Sequence, residues 1–340
     1  AIRPRGIFSH SFEEPNSLFE VKSTEGYEPN ILSTRVKIYD GMVIKSINSW
    51  PTLNFDFFSV LIFLSNFLKA GFYYKTFFGS NYLWKNIFEP LLRKMAGFSR
   101  APIEKDKSYY SKKNIKCDVL IIGGGPSGVA AASNLCESNL NVILIEDDFY
   151  LGSKLTNLKE RDWFFKAKNY IEKHIKVYTD TTVFGAYTNN YFAAVERFTA
   201  IKKSSGVIPI KERLLLLRAK KVIFANGSIE RPIVFPNNDR PGIFLSNSST
   251  YYLNQFGLFL GKKVILFTNN DFAYSDILYL KEKGAEIIAV IDIRANLSGE
   301  LPLKAEKKGI KIYKGFNVSN TFGRKKISSL SITSLNDSNS

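Results

Sequence analysis

The sequence predicts an α/β protein with two tandem Rossmann-like units of the FAD/NAD(P)-binding type, and three observations support this fold class. Short apolar runs alternate with segments of helical spacing from Cys117 onward. A glycine-rich turn stands between the first apolar run and the first helical segment. The same strand, helix, strand order returns near the end of the chain. These features indicate buried parallel strands joined by crossover helices.

The first βαβ unit begins at a short apolar run, Asp118–Ile122, which is typical of a parallel strand buried on both faces. Residues Pro126–Ser138 have helical spacing, and Asn141–Glu146 reads as the second strand. Further elements are predicted downstream: a helix at Asp162–Lys173, strands at Lys176–Tyr178 and Thr181–Tyr187, and a buried strand at Lys220–Ala225.

The second βαβ unit consists of a strand at Lys262–Thr268, a helix at Asp271–Lys283 and a strand at Glu286–Asp292. Its turn, Thr268-Asn269-Asn270-Asp271, lacks glycine. Asp271 is well placed as a helix N-cap, and its negative charge would compete there with a phosphate. Two interpretations stay open: a second dinucleotide site, or a structural unit that has lost its ligand, which we favour.

The first 110 residues are aromatic-rich and less regular than the rest of the chain. They contain short strand-like pieces such as Arg35–Tyr39, and a polar linker at Glu104–Lys116 follows them. We therefore predict three domains: an N-terminal α+β domain at 1–110, a dinucleotide-binding domain at 115–260, and a second, truncated nucleotide-binding-like domain at 261–340.

Composition and charge narrow the range of partners. The chain has 340 residues and a formal net charge of +16, but its Lys and Arg residues are scattered, which disfavours nucleic acid as a partner. The apolar run Phe57–Leu68 is too short for a membrane helix, which needs about 20 residues, and we predict a buried helix there. Two cysteines provide neither a disulfide framework nor an iron–sulfur cluster, and this usage indicates a cytoplasmic protein.

The glycine-rich turn carries the functional prediction. Gly123, Gly125 and Gly128 match the G-x-G-x-x-G pattern, and this match follows a strand and opens a helix. Gly123 allows the tight turn, Gly125 lets the backbone approach a pyrophosphate, and Gly128 permits close packing of helix on strand. Glu146 ends the next strand about 20 residues later, where it can bind the ribose hydroxyls.

The charges near the expected ribose narrow the choice of cofactor. Glu146, Asp147 and Asp148 set three carboxylates near the expected ribose, where they would repel a 2′-phosphate. NADP is therefore disfavoured, and NAD and FAD both stay open. His10 and His174 have no catalytic or metal-ligating partner at a diagnostic spacing, so no catalytic residue and no metal site are predicted.

Several segments together resemble the alpha subunit of heterotetrameric sarcosine oxidase. The resemblance covers nearly the whole chain, and its specific parts are the aromatic segment at 71–77 and the Asn-Asn-Asp-Arg-Pro-Gly segment at 237–242. The other matching stretches are Arg3-Pro4-Arg5-Gly6-Ile7-Phe8, Glu14-Pro15-Asn16, Phe88-Glu89-Pro90-Leu91-Leu92-Arg93, the glycine loop, Glu230-Arg231-Pro232, and Thr268-Asn269-Asn270-Asp271.

The resemblance implies a complex that oxidatively demethylates sarcosine to glycine with O2 and tetrahydrofolate, giving H2O2 and methylene-tetrahydrofolate. It implies NAD in this chain, FAD and FMN on or shared with a partner subunit, and beta, gamma and delta subunits as partners. The implied NAD site comprises Gly123, Gly125, Ser127, Gly128, Glu146, Asp147, Asp148, Lys154, Val183 and Ala225. The family's first domain is ferredoxin-like, here without cluster cysteines. The chain is expected to be a fragment that lacks the family's C-terminal folate-binding domain and is inactive alone.

Two other functions stay open. One is a subunit of a related opine or amine oxidase, or another FAD/NAD-dependent oxidoreductase, with the aromatic N-terminal signature favouring sarcosine oxidase. The other is a non-catalytic scaffold, in which a bound dinucleotide is structural and the chain holds flavin-bearing partners.

Overall fold

The computed structural model describes residues 6–9, 14, 17–23, 26–52, 54–64, 71, 79–103, 105–153, 155, 158–198, 210–323 and 326–335. The chain forms two compact units. The central unit comprises 107–230 and 254–256, and the flanking unit comprises 1–106, 231–253 and 257–340. Because each unit consists of separate stretches of chain, the three-domain division stays a prediction.

The central unit contains one six-stranded sheet, formed by β4 (Tyr109–Ile122), β5 (Val142–Ile145), β6 (Lys176–Tyr178), β7 (Thr181–Tyr187), β8 (Tyr191–Arg197) and β9 (Ile210–Phe224). Their order in the sheet is β6-β5-β4-β9-β8-β7. Strands β4, β5, β6 and β9 are parallel, whereas β8 runs antiparallel to both β7 and β9. The helices are α3 (Pro126–Leu135) and α4 (Leu158–His174). The predicted βαβ unit is confirmed, and its glycine turn lies at the carboxyl end of β4.

Two clusters form the core of this unit. Val129 of α3 and Phe164 of α4 pack with Val119 and Leu144 of the parallel strands. A second cluster joins residues of the parallel strands to the meander β7-β8-β9: Leu120, Ile143, Phe192, Ala194, Leu215 and Leu217 are among its members. The continuous apolar run of β5 is completely buried, as expected for a central parallel strand.

Two predictions for the central unit need correction. The stretch predicted as a linker is largely strand, because β4 begins at Tyr109 and pairs with β9 along almost its whole length. A distant partner supplies these backbone hydrogen bonds, so local polarity did not reveal them. The end of β9 is also less buried than predicted, since the Phe224 side chain is 65% exposed.

The N-terminal part of the flanking unit has an antiparallel sheet in the order β2-β1-β3: β1 (Leu18–Ser23), β2 (Gly26–Leu32) and β3 (Val43–Ser46). A helix follows as α1 (Asn81–Leu83), a π-helical turn (Trp84–Phe88) and α2 (Glu89–Ala96). The strand predicted at 35–39 is wrong, because a 3-10 turn (Ser33–Arg35) ends β2 and no strand follows it there. A 3-10 helix occupies Phe57–Leu64, but Phe57 and Phe63 are exposed, so the prediction of a buried helix is wrong there; 65–68 lie outside the described residues.

The C-terminal part of the flanking unit contains the second βαβ unit. Strands β10 (Lys263–Thr268), β11 (Glu286–Asp292) and β12 (Ile312–Lys314) are parallel, with β11 in the middle. The helices of this part are α5 (Ser246–Phe256), whose last three residues are assigned to the central unit, α6 (Phe272–Glu282) and α7 (Glu300–Lys307). A hairpin of β13 (Phe316–Phe322) and β14 (Ser329–Ser334) follows them in the chain. The βαβ order predicted here is confirmed.

Residues of the Asn-Asn-Asp-Arg-Pro-Gly segment (237–242) form hydrogen bonds with the β13–β14 hairpin. Arg240 donates to the carbonyl oxygens of Gly323 and Thr321, and the Ile327 N–H donates to the Pro241 carbonyl. Its sequence signature thus has a structural role within the flanking unit.

Among the described residues, no helix is both long and apolar enough to cross a membrane.

Candidate functional site

The glycine turn after β4 is tight because two of its glycines pack against backbone. Gly123 has a φ of +109°, and a Cβ added there would lie 2.3 Å from the carbonyl oxygen of Ala225. A Cβ at Gly128, in the first turns of α3, would lie 1.8 Å from the carbonyl oxygen of Gly123. Only glycine therefore fits at either position without movement of the backbone.

Gly125 differs from both. It is extended, with a φ of −76°, at the N-cap position of α3, and a Cβ there would meet no atom within 4 Å. Open space at this glycine, beside a helix N-terminus with its positive dipole end, is the arrangement that accepts a pyrophosphate. Ser127 lies exposed in the first turn of α3, next to this space. The residues present therefore fit the phosphates of a dinucleotide.

Glu146 follows β5 and ties two loops together. Its Oε2 accepts a hydrogen bond from the Gly124 N–H at 2.5 Å, and its Oε1 accepts one from the Asp148 N–H at 2.8 Å. Its backbone N–H donates to the Tyr178 carbonyl at the end of β6. The carboxylate therefore lies at the carboxyl edge of the parallel strands, beside the glycine turn, where ribose hydroxyls are bound in this fold.

The two aspartates after Glu146, Asp147 and Asp148, differ in their burial and in their hydrogen-bond partners. Asp148 is buried, and its Oδ2 accepts a hydrogen bond from the Ser153 hydroxyl at 2.6 Å. Asp147 is half-buried and accepts a hydrogen bond from the Thr182 hydroxyl. The expected group of three carboxylates is therefore present, but Asp148 is anchored inside the protein.

The remaining predicted contacts are Ala225, Val183 and Lys154. Ala225 lies against the glycine turn, and its N–H donates to the Ile122 carbonyl at 2.8 Å. Val183 is half-buried on β7, in a strand whose first residue, Thr181, donates its N–H to the Glu146 carbonyl. Lys154 lies outside the described residues. All the described members thus gather at or next to the carboxyl edge of β4, β5 and β9, and their role in binding stays a prediction.

Sequence reasoning missed three polar neighbours of this site: Ser153, Thr182 and Arg197. Thr182 and Arg197 belong to β7 and β8, which the meander brings next to the loop after β5. Arg197 Nη1 donates to the Thr182 hydroxyl at 2.8 Å. No local motif marks Thr182 and Arg197, because strand pairing alone brings them to the site, whereas Ser153 lies five residues after Asp148 in the same loop.

The corresponding edge of the second βαβ unit is occupied by an internal ion-pair network. Asp292 ends β11 completely buried, and Arg294 donates to its two carboxylate oxygens at 3.0 and 2.8 Å. The buried Tyr274 hydroxyl donates to the same carboxylate at 2.8 Å, and burial followed by this bond raises the pKa of Tyr274. Arg294 also pairs with Asp271 at 2.8 Å.

Asp271 stands at the N-cap position of α6, but its side chain makes no capping bond. The prediction of a capping side chain is therefore wrong at this residue. Asn270 Oδ1 instead accepts the Ala273 N–H at 3.3 Å, since Arg294 draws the Asp271 carboxylate away. This network favours the interpretation of a structural unit without a ligand.

The described histidine, His174, and the two cysteines contact neither the glycine turn nor the Asp292 ion-pair network in the hydrogen bonds of the described residues. His174 Nδ1 contacts the Tyr170 carbonyl at 2.7 Å on α4, and His10 lies outside the described residues. Cys117 is buried, and this burial, with a smaller contribution from Asp118, raises the pKa of its thiol to about 11. Within the described ranges, no three His, Cys, Asp or Glu side chains are grouped so as to hold a metal ion.

The chain is similar to a protein-family model, to individual protein sequences and to solved structures. A family model described as FAD dependent oxidoreductase matches residues 118–190, which include the glycine turn and Glu146. A sarcosine oxidase subunit alpha from Rhizobium meliloti (strain 1021) is 36% identical over 86% of this chain and 30% of its own length. Another, from Corynebacterium sp. (strain U-96), is 32% identical over 94% of this chain and 29% of its own length. The L-proline dehydrogenase structure from P.horikoshii superposes with a TM-score of 0.52 at 19% identity, covering 92% of this chain and 46% of that one.

These matches confirm the resemblance to sarcosine oxidase alpha subunits, and the solved structure confirms the α/β dinucleotide-binding fold. The chain spans about 30% of the length of the curated relatives that it matches. Together with the family model, they indicate a flavin or nicotinamide dinucleotide as the class of cofactor.

Proposed function

We propose that the central unit binds NAD at the glycine turn, and that the chain is the dinucleotide-binding part of the alpha subunit of a heterotetrameric sarcosine oxidase. The beta, gamma and delta subunits would be its partners, and FAD and FMN would lie on or be shared with a partner. The assembled complex would demethylate sarcosine to glycine with O2 and tetrahydrofolate, giving H2O2 and methylene-tetrahydrofolate. Similarity to two curated alpha subunits over 86% and 94% of the chain supports this assignment.

One observation carries the proposal for the cofactor: space is left at Gly125 alone among the three motif glycines. The first N–H groups of α3 would bind the pyrophosphate there, because they have no partner within the helix. Glu146 would accept hydrogen bonds from the ribose hydroxyls, because its carboxylate lies beside the glycine turn at the carboxyl edge of the parallel strands. When bound, NAD can accept or donate a hydride. The chain's own residues bind and orient it, and we propose no catalytic residue among them.

Substitution of Gly125 by valine tests the phosphate site. Because a Cβ there meets no protein atom within 4 Å, Gly125→Val should fold normally but block the pyrophosphate. Gly79→Val is a matched control, since a Cβ at Gly79 also has no atom within 4 Å. The purified chains are denatured, and the released nucleotide is identified and counted by mass spectrometry. Equal dinucleotide content in Gly125→Val and Gly79→Val would contradict the proposal.

Glu146→Gln tests the ribose contact separately. The amide keeps an oxygen for one backbone N–H but loses the charge and one acceptor, so NAD affinity should fall about tenfold, as expected for the loss of a hydrogen bond to a charged group. Calorimetric titration of the full chain measures this change, and an unaltered dissociation constant would remove Glu146 from the site.

FAD is the second candidate for the same site, and the FAD dependent oxidoreductase model over residues 118–190 favours it. The two cofactors are distinguished by the released nucleotide and by visible absorbance. A colourless protein that releases NAD supports our proposal, whereas a yellow protein that releases FAD supports a flavoprotein. Bound NAD that sarcosine does not reduce in the assembled complex would favour a structural cofactor in a scaffold subunit.

A further inference from the structure

The loop that follows β5 contacts the glycine turn at Gly124. Glu146, at the start of this loop, accepts a hydrogen bond from the Gly124 N–H at 2.5 Å, and the Gly152 N–H donates to the Gly124 carbonyl at 3.1 Å. A Cβ added at Gly124 would lie 2.4 Å from Leu151 Cδ2, so Leu151 packs directly on the turn. The placement of this part of the loop therefore sets the backbone of Gly124, the residue before the open space at Gly125.

A single side chain from a distant part of the sequence binds the loop on either side of Leu151 and Gly152. Gln255 is one of the last three residues of α5, which belong to the central unit. Its Nε2 donates to the Ser153 carbonyl at 2.6 Å, and its Oε1 accepts a hydrogen bond from the Tyr150 hydroxyl. The donor and the acceptor of one planar amide are thus both bound to the segment 150–153.

The surroundings make these two bonds suited to fixing a position. Gln255 is half-buried and Ser153 is buried, so water competes less for the bond between them than it would at the surface. Gly152 has a φ of +75°, and a Cβ there would lie 2.4 Å from the Phe164 ring. Phe164 therefore limits the segment at Gly152, while the amide of Gln255 fixes the residues before and after it.

We propose that Gln255 is a positioning residue of the dinucleotide site. By holding the segment 150–153, it keeps Leu151 and Gly152 on the glycine turn, and the turn stays in the conformation that receives the pyrophosphate. This inference rests on the proposed dinucleotide site and names a residue that supports it. Gln255 acts through the loop and is assigned no contact with the cofactor. A turn that is already held in its binding conformation does not have to be ordered when the ligand binds, which increases affinity.

The test measures by calorimetry the Kd of the full chain for NAD, or for FAD if that is the nucleotide that the chain releases. Gln255→Met keeps the length and the neutrality of the side chain but removes both hydrogen bonds, so it should raise the Kd about fivefold to tenfold. Tyr150→Phe removes one of the two bonds and should raise the Kd about threefold. Adding Tyr150→Phe to Gln255→Met should change the Kd by less than about twofold, because the acceptor of that hydroxyl is already absent.

Asn141→Leu is the matched control. Its Nδ2 donates to the Lys116 carbonyl at 3.1 Å, so this variant also removes a side-chain amide bond to a distant backbone carbonyl of the central unit. Asn141 precedes the first residue of β5, at the opposite end of the strand from Glu146. Asn141→Leu should therefore leave the Kd within about twofold of the wild-type value. Circular dichroism at the temperature of the titration establishes that each variant is folded.

A spectroscopic measurement follows Gln255 directly. Gln255 is the only glutamine in the sequence, so selective isotope labelling of glutamine gives one side-chain amide signal by nuclear magnetic resonance. Saturating NAD should slow the exchange of these amide protons with water, because a ligand that is favoured by the two hydrogen bonds must favour them in turn. An exchange rate that NAD leaves unchanged would contradict the proposal.

Three results of the titrations would overturn the inference. They are an unchanged Kd in Gln255→Met, equal weakening in Gln255→Met and Asn141→Leu, and independent, additive effects of Gln255→Met and Tyr150→Phe. If Gln255→Met does not fold, the comparison of Tyr150→Phe with Asn141→Leu decides in the same way, since Tyr150 is 41% exposed and loses only its hydroxyl. A wild-type chain that binds neither dinucleotide would instead overturn the proposed function together with this inference.

Discussion

The ion-pair network of the second βαβ unit gives a stability prediction that follows directly from its geometry. Asp292 is completely buried, and two hydrogen bonds from the Arg294 guanidinium, at 3.0 and 2.8 Å, compensate its charge. Arg294→Ala leaves that carboxylate with the Tyr274 hydroxyl and the backbone N–H of residue 294 as its remaining donors. Removal of one partner of a buried ion pair costs about 3–5 kcal/mol in unfolding free energy.

The side chain of Arg294 is 33% exposed, so water can reach the space that it leaves. We therefore expect the lower end of the range, about 3 kcal/mol. At about 2–4 °C per kcal/mol for a domain of this size, the unfolding temperature should fall by about 6–12 °C. The double variant Asp292→Asn/Arg294→Ala should recover part of the loss, because no buried charge is left unpaired.

Thermal unfolding followed by circular dichroism measures the shift, and hydrogen exchange detected by mass spectrometry locates it at β11. Lys220→Ala is the control, since Lys220 pairs with Asp118 at 2.8 Å but is 80% exposed, and loss of such a pair should change stability little. If Arg294→Ala lowers the unfolding temperature no more than Lys220→Ala does, the network is not a stabilising core of this unit.

Three further predictions concern packing and titration. Gly128→Ala brings a Cβ to 1.8 Å from the Gly123 carbonyl oxygen, so it should cost about 1–3 kcal/mol in unfolding free energy; wild-type stability in urea titration would contradict this. Burial, followed by the charge of Glu14, raises the pKa of Tyr252 to about 12. Because the ordinary value is about 10, its contribution to stability is complete below pH 10 and is lost as pH rises toward 12, which ultraviolet titration against Tyr252→Phe can detect. The Cys117 thiol, with a pKa of about 11, should resist thiol reagents at neutral pH until the chain unfolds, and rapid labelling of the native protein would exclude this.

Much of the central unit follows from local sequence. A buried parallel strand is a continuous apolar run, and β5 has this form. The glycine turn is recognisable because its backbone conformation and close contacts exclude a side chain at Gly123 and Gly128. Its spacing to Glu146 is set by one helix and one strand. These features depend on residues near one another in the chain, so pattern and spacing were sufficient to predict them.

Pairing between distant segments could not be predicted in this way. The polar stretch at 109–116 is strand because β9 supplies its hydrogen bonds, and the apolar residues Phe57 and Phe63 are exposed although hydrophobicity predicted burial. In each case the environment depends on which segments of the chain come together, and residue type alone does not specify it.

Local sequence was sufficient to identify the class of fold, the glycine turn and the carboxylate that follows β5. The burial and the hydrogen-bond partners of the two aspartates next to that carboxylate became known only from the folded chain. Asp148 is buried and accepts a hydrogen bond from Ser153 of its own loop. Asp147 is joined through Thr182 to Arg197, and these two contacts cross between segments that the sheet brings together. Electrostatic effects depend on distance and burial in space, and spacing along the chain fixes neither for residues on different strands.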